Sequence, residues 1–484
     1  MKKTIFALIL VFCMLFAACQ TNDAEKTNAN DENTLDSIET DTAEEDYNNL
    51  PVFQNTYDGE TVDILMGSFA WVDMYTPDGL NGEVLNDAIY NRNLAVETKL
   101  NVKLNIIFIN DERDGSGDMV TSKFTAALRS GDKIYDIYMA SQVVMTHAAR
   151  ERYLINFDYL PWIDLTKPWW DTNSTDSLNF GGKVFFGVND INYSNLGMTC
   201  VLLFNKNLFK NEGIPYPYDL VKSGGWTYEE FAKIVQSASK DINGDGIIDI
   251  KDDQFGFSGW QWEVGPNLYT ALGASFVTKD KDNMPSLTIN SARSYSAFEM
   301  IVDLFNNGGA YHNHTMNVWL DRDRFADGYI LMTDYRSYYL DYFQDMSDNF
   351  GIIPHPKFDK NQEGYRQLVS GVGTYTAIPI ICKEPVLASA VVEALASESY
   401  KTVRPQYYET ILQTKYTRDG ESAEMIEIIA KNRVYSVWLD TFGTLDVFSS
   451  MIAKGDANLA SFYARNETKA LAEIDKMIEI YSYD

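Results

Sequence analysis

An α/β chain of two domains, each an open and mostly parallel sheet with helices on both faces, is what this sequence predicts. Strand-like and helix-like patterns alternate with short links, which implies parallel strands joined by right-handed crossovers. About 430 residues follow a polar N-terminal stretch, more than one hydrophobic core usually organises, so two domains are expected. The apolar fraction of 45% is enough to fill ordinary globular cores.

Thr61–Gly67 (TVDILMG) reads as a short apolar strand. Gly82–Lys99 is helical in pattern, with Leu85, Ile89 and Val96 on one face. Val102–Ile109 is a second strand, Asp118–Arg129 a helix that Gly131 is placed to end, and Tyr135–Ala140 a third strand. Ligands bind beyond the carboxyl ends of strands in such sheets, where Gly67–Tyr75 and Ser141–Gln142 fall. A second region begins near Lys183. It holds an apolar strand at Met198–Asn205 and a helix at Trp226–Lys240, with Thr227 and Glu230 spaced as a capping box. Tyr329–Asp334 and Tyr375–Ile381 are further strand-like runs, and Val386–Ala396 and Ala457–Tyr481 are helical. No internal repeat is present.

The N-terminus carries Lys2 and Lys3, an apolar run from Ile5 to Phe16, then Ala17, Ala18 and Cys19. About 12 apolar residues are too few for a permanent span, which needs roughly 20, but they fit a secretory signal. The ending resembles a lipobox, which makes Cys19 the acylated new N-terminus, and an ordinary signal cleaved after Ala18 is the other reading. Residues 20–50 are rich in Asn, Asp, Glu and Thr, too polar to fold alone, and read as a flexible acidic tether. The expected place is therefore the extracytoplasmic face of a bacterial membrane, held by lipid. The net charge of −29 becomes −31 once Lys2 and Lys3 leave. Such a surface argues against nucleic acid or anionic lipid as partners. Cys200 and Cys382 each sit in an apolar strand-like run. A disulfide between them is open to this compartment, but two buried thiols are the preferred reading.

The sharpest motif is Asp241, Asn243, Asp245, Gly246, Ile247, Asp249 and Asp252, which match the spacing of a calcium loop. Calcium needs several oxygens, and alternate residues of a tight loop deliver them, with the Ile247 carbonyl among them. Turn-and-strand residues follow the loop, so a structural clip is expected rather than a sensor; an Asx-rich turn without metal is the alternative. Catalytic signatures are missing: no HExxH, no GxSxG elbow, no phosphate loop. His312 and His314 read as an exposed loop rather than a metal pair. Carboxylates are too many for a hydrolase dyad to be picked out.

A set of fragments, in order, resembles the extracellular solute-binding protein family 1, the maltose-binding-protein-like importers. They are EVLNDAIYNRNLAVETKLNVKLNI, SKFTAALRSGDKIYDIYMAS, GKVFFGVND, VLLFNKNLFKNEGIP, WTYEEFAKIVQSASKDINGDGIIDIKDDQFGF, RFADGYILMTDY, GIIPHPK and PQYYETILQTKYTRDGESAEMIEII. The resemblance implies a two-lobed periplasmic-binding-protein fold with a ligand cleft between the lobes. It implies a first lobe of 51–188 plus 375–435 and a second of 189–374 plus 436–484. The chain would cross between them near 185–192, 370–376 and 430–440. It also implies a monomeric, non-enzymatic subunit that captures a carbohydrate by hinge closure and hands it to an ABC permease. By placement, the cleft candidates are Trp71, Asp73, Ser141 and Gln142 from the first lobe, and Asp190 and Tyr193 at the hinge. Trp260, Trp262, Asp334, Tyr335 and Arg336 come from the second lobe, with Trp438 joining from the C-terminal region. Two other classes remain open on sequence: an anchored polysaccharide hydrolase, and a sensor lipoprotein that presents its ligand to a signalling partner.

Overall fold

The structure is a computed structural model that describes residues 50–482, apart from 68–69, 77, 110–117, 316, 318, 344, 412–419 and 438–443. The signal, the tether, Cys19 and Trp438 lie outside the described residues. The strands, in chain order, are β1 (Glu60–Met66), β2 (Val102–Phe108), β3 (Ile137–Ser141), β4 (Cys200–Asn205), β5 (Phe255–Trp260), β6 (Val277–Lys279) and β7 (Pro285–Leu287). There follow β8 (Ala310–Asn313), β9 (Ile330–Arg336), β10 (Phe350–Ile353), β11 (Gln367–Leu368), β12 (Thr374–Ala377) and β13 (Arg433–Val434).

Two main sheets result. The first has the order β12-β3-β1-β2. β1 lies parallel to β2 and β3, and β12 runs antiparallel to β3. The expected helices make its crossovers. Val84–Leu100 stops at Asn101, which adopts a left-handed φ of 50° and returns its N–H to the Glu97 carbonyl. Asp118–Ser130 stops before Gly131 at φ 74°. Successive strand residues point to opposite faces, and both faces are covered. Ile64, Met66, Ile137 and Met139 pack with Val96, Leu100 and Val391. Leu65, Tyr138 and Ala140 pack with Phe124, Ala127 and Met145.

The second sheet has the order β10-β4-β9-β5-β8, with β5 parallel to β8 and β9, and β4 antiparallel to β9 and β10. Helix Tyr228–Ala238 lays Phe231 and Val235 on β5 beside Phe257. Its approach is so close that a Cβ on Gly256 would run into the Val235 backbone. The expected capping box does not form: the Thr227 side chain makes no cap bond. The Glu230 carboxylate pairs with Lys233 instead.

Between the sheets the chain runs through a hinge. Gly187 pairs with Thr376 and Thr199 with Val369, while β11 pairs in parallel with β13. The turn Asp190–Asn192 and the short helix Ser194–Gly197 lie between those pairings. Helix Gly420–Lys431 packs on the second sheet, with Ile429 among Val201, Leu203 and Ile352, although the sequence division placed it with the first lobe. Helix Leu459–Ser482 serves both lobes. Phe462 joins Phe276, Leu287 and Ile289 of the second, while Glu473 pairs with Arg150 and Tyr481 meets Phe180 edge-on. Cys200 and Cys382 are free and buried. His312, expected in an exposed loop, lies buried in β8, because that four-residue strand is laid against β5; His314 beyond it is exposed. Among the described residues, no helix is long and apolar enough to cross a membrane.

Candidate ligand-binding site

The hinge helix Ser194–Gly197 is met from one side by the segment after β1 and from the other by the segment after β9. From the first lobe, helix Ala70–Met74 follows β1 and carries Trp71 and Asp73. The Asp73 carboxylate is fully buried and accepts from the Ser194 N–H at 2.9 Å and the Ser194 hydroxyl at 2.8 Å. Burial pushes its pKa up to about 7, against the opposing pull of those hydrogen bonds and of Arg92. Asp73 therefore clamps the first lobe to the hinge and has no free edge for a ligand. The side chain of Trp71 lies outside the described atoms. Gln142 is likewise committed, accepting from the Tyr375 hydroxyl at 2.8 Å and donating to the Ser436 carbonyl at 2.6 Å. Ser141 is buried, with a hydroxyl that has no partner among the described residues.

The second lobe offers an aromatic face. Trp260 ends β5 and meets Trp262 edge-on, with ring centroids 4.9 Å apart. Both are half-buried, and the Trp260 indole N–H has no partner among the described residues. Glu263 pairs with Arg336 at the end of β9, and the Arg336 guanidinium lies 5.8 Å from the Tyr339 ring centre. Tyr339 stacks on Tyr342 at 5.7 Å, and Trp319 meets Tyr342 at 5.2 Å. Arg322 covers the Trp319 ring at 4.6 Å. The turn Ser337–Phe343 that carries these tyrosines is tied to the hinge helix by the Ser337 hydroxyl, which donates to the Leu196 carbonyl at 2.8 Å. Tyr338 and Tyr342 remain 37% and 51% exposed, so rings are on offer rather than spent in the core.

Of the expected second-lobe residues, Trp260, Trp262 and Arg336 therefore come together. Asp334 and Tyr335 do not join them. Asp334 accepts from Asn267 at 2.7 Å and lies 3.3 Å from His355 inside the lobe, and Tyr335 packs in the core beside Leu340 and Phe343. Asp190 and Tyr193 line a separate cavity on the flank of the hinge. Trp319, Tyr338, Tyr339, Tyr342 and Glu263 were missed by sequence reasoning. The signal was available, because SYYLDYF directly follows the strand end at Arg336 and WE follows Trp260 and Gln261.

The metal-loop residues form a ring of Asx turns. Asp241 accepts from the Gly244 and Gly246 N–H groups, Asn243 from Asp245, Asp245 from Ile247, and Asp249 from Lys251 and Asp252. Buried Asp253 closes the loop by accepting from Ile242 and Asp249, and these N–H donors hold its carboxyl below its ordinary pKa. Asp241, Asn243, Asp245, Asp249 and Asp252 supply the oxygens a hard cation takes. Among the described residues, however, no three His, Cys, Asp or Glu side chains converge as a metal site.

The sequence matches the model of the family "Bacterial extracellular solute-binding protein" over residues 93–402. The chain belongs to the bacterial extracellular solute-binding protein family. A search of curated protein sequences finds no match. Among solved structures, this solute-binding protein is similar to an ABC substrate-binding protein, Lmo0181 from Listeria monocytogenes, in complex with cycloalternan. The TM-score is 0.53 at 14% identity, covering 88% of this chain and 100% of that one. It is similar to the GacH receptor of Streptomyces glaucescens, whose structures include an acarbose complex, at TM-score 0.55 and 15% identity, covering 86% and 99%. A cyclo/maltodextrin-binding protein complexed with maltotetraose aligns at TM-score 0.55 and 14% identity, covering 87% and 97%. These likenesses establish the two-lobed fold of the solute-binding protein, and the compared structures are binding proteins.

Proposed function

We propose that this solute-binding protein captures an oligosaccharide between its lobes for an ABC importer. The observation that carries the reading is the aromatic face at the strand ends of the second lobe, built from Trp260, Trp262, Trp319, Tyr339 and Tyr342 around the Arg336–Glu263 pair. Aromatic faces pack on the C–H faces of sugar rings while charged and amide groups pair their hydroxyls. The similar structures bound to cycloalternan, acarbose and maltotetraose support the same ligand class. Closure of the first lobe about the hinge would bury the sugar, and the closed form would be what a membrane permease receives. Anchoring through an acylated Cys19 belongs to the same proposal, as does a monomeric state. Mass spectrometry of the membrane fraction tests the anchor: a lipid-modified N-terminal Cys19 peptide supports it, and a free peptide starting at residue 19 contradicts it.

Binding is tested by calorimetry with a panel of linear and cyclic glucans. Trp262→Ala removes one sugar-facing ring, and truncating a central aromatic anchor typically costs about 2 kcal/mol. Affinity is expected to fall roughly 30-fold with the fold intact. Unchanged affinity would remove this face from the site.

Calcium at the 241–252 loop is proposed as a structural clip. Calcium is expected to raise the unfolding temperature of the wild type and to leave Asp249→Ala unmoved. A wild type indifferent to calcium would leave the loop an Asx-turn clip alone.

A further inference from the structure

Trp319 stands where the local rules of helix formation ask for a different residue. It is the N-cap of helix Leu320–Ala326 and makes no side-chain cap bond. Ser, Thr, Asp and Asn favour that position because a short side-chain oxygen meets the first free N–H groups, which an indole cannot do. A broken local rule of this kind marks a residue kept for another purpose. The Trp319 ring lies on the aromatic face, against Tyr339 at 5.7 Å and Tyr342 at 5.2 Å.

The loop from β8 to that helix is held from inside the lobe. Asn313, the last residue of β8, is 0% exposed. Its Nδ2 donates to the Asn317 carbonyl at 3.1 Å and to the Asp321 carboxylate at 2.9 Å. Its Oδ1 accepts from the Thr315 N–H at 3.3 Å and from the Thr315 hydroxyl at 2.8 Å. Two donated and two accepted bonds use the whole capacity of an amide. Asn317, pinned in this way, accepts from the Trp319 N–H through its Oδ1 and from the Leu320 N–H through its carbonyl, both at 3.2 Å. The main chain of Asn313 serves the other tryptophans. Asn313 pairs with Trp260 across β8 and β5, and its carbonyl accepts from the Gln261 N–H at 3.1 Å, between Trp260 and Trp262.

We propose that Asn313 is the positioning residue of the aromatic face. Its backbone holds the Trp260–Trp262 segment, its side chain holds Trp319, and the spacing between the two sets of rings follows from it. Being fully buried, Asn313 touches no ligand itself and acts through Trp319. The proposal rests on the reading of this face as the sugar site. A site whose supporting residues let it loosen by about 1 Å fails even with every contacting group present.

The test compares wild type, Trp319→Ala, Asn313→Ala and the double variant, all as the full chain. Without ligand, the near-ultraviolet circular dichroism that Trp319→Ala removes from wild type is expected to be missing already in Asn313→Ala, because an unheld ring gives no fixed signal. In calorimetry with linear and cyclic glucans, Asn313→Ala is expected to weaken binding as far as Trp319→Ala does, roughly 30-fold. The double variant should bind no more weakly than either alone, since both changes remove one contact. Asn313→Asp keeps the acceptor for Thr315 and loses both donated bonds, and it takes the place of Asn313→Ala should that variant not fold. A folded Asn313 variant with the Trp319 signal and the affinity of wild type overturns the proposal, while Trp262→Ala still tests the aromatic face by itself. Losses that add in the double variant also overturn it, since Asn313 would then act apart from Trp319. A wild type that binds no glucan overturns the sugar reading, and this role falls with it.

Discussion

Glu393 shows how single residues hold this fold. Its buried carboxylate accepts from the indole N–H groups of Trp169 at 2.8 Å and Trp170 at 3.0 Å, which fastens the 154–171 loop to helix Pro385–Lys401. Burial raises its pKa from 4.5 to about 7, the two indole bonds opposing that rise. A raised carboxylate pKa means that the folded state holds its proton longer than the unfolded state. Stability from this group is therefore greatest below pH 4.5 and is lost as pH rises towards 7. Unfolding free energy, measured by denaturant at pH 4.5 and pH 8, is expected to fall by roughly 3 kcal/mol more in wild type than in Glu393→Gln. Equal pH slopes in the two proteins would contradict this account. Asp73 teaches the converse lesson about reading sites from sequence. Its position after the first strand was legible, but its commitment to Ser194, 121 residues later, has no local signal. The same holds for Gln142 and its tie to Ser436. The placement of Trp260 and Trp262 near the end of β5 was legible because that strand end can be read from hydrophobic pattern alone.

At the scale of elements, strands β1, β2 and β3 and helices Val84–Leu100 and Asp118–Ser130 were legible within a few residues, whereas helices Ala70–Met74, Gln142–Arg150 and Thr172–Leu178 were not placed and the strand expected to reach Ile381 ends at Ala377. The second lobe was less so. β8 is four residues of mixed polarity and β10 is a short antiparallel partner of β4, and neither has enough length to show a pattern. β9 runs to Arg336, two residues beyond the expected end, so Asp334 and Tyr335 alternate into the lobe interior instead of reaching the cleft. Packing of helix Tyr228–Ala238 on β5 depends on Gly256. Gly256→Ala is expected to destabilise the protein by roughly 3 kcal/mol, because the Val235 backbone cannot yield as a side chain would; a thermal shift of less than a degree would contradict that contact. The 241–252 loop makes a distinct prediction. Asp241→Ala removes the acceptor for two backbone N–H groups, so it should lower the unfolding temperature even without calcium. If Asp241→Ala matters only when calcium is present, the Asx turns contribute nothing of their own.

At the scale of the whole molecule, both sheets are tied to one hinge, through Asp73–Ser194 on one side and Ser337–Leu196 on the other. Helix Leu459–Ser482 contacts both lobes through Phe462 and Tyr481. The two-lobed architecture was legible because order and spacing of strands survive at low identity. The division between lobes was less so, because helix Gly420–Lys431 has an apolar stripe that fits either sheet and only tertiary packing selects the second. The proposed function is capture of a sugar without turnover. Thermal unfolding of the protein against mono- and oligosaccharides, with calcium present and with product analysis after overnight incubation, tests it most directly. A ligand at 100 times its dissociation constant adds about 2.7 kcal/mol, so one oligosaccharide class is expected to raise the unfolding temperature clearly and to be recovered intact. A flat response across the whole panel would contradict sugar capture, and released product would replace a binding protein with a hydrolase.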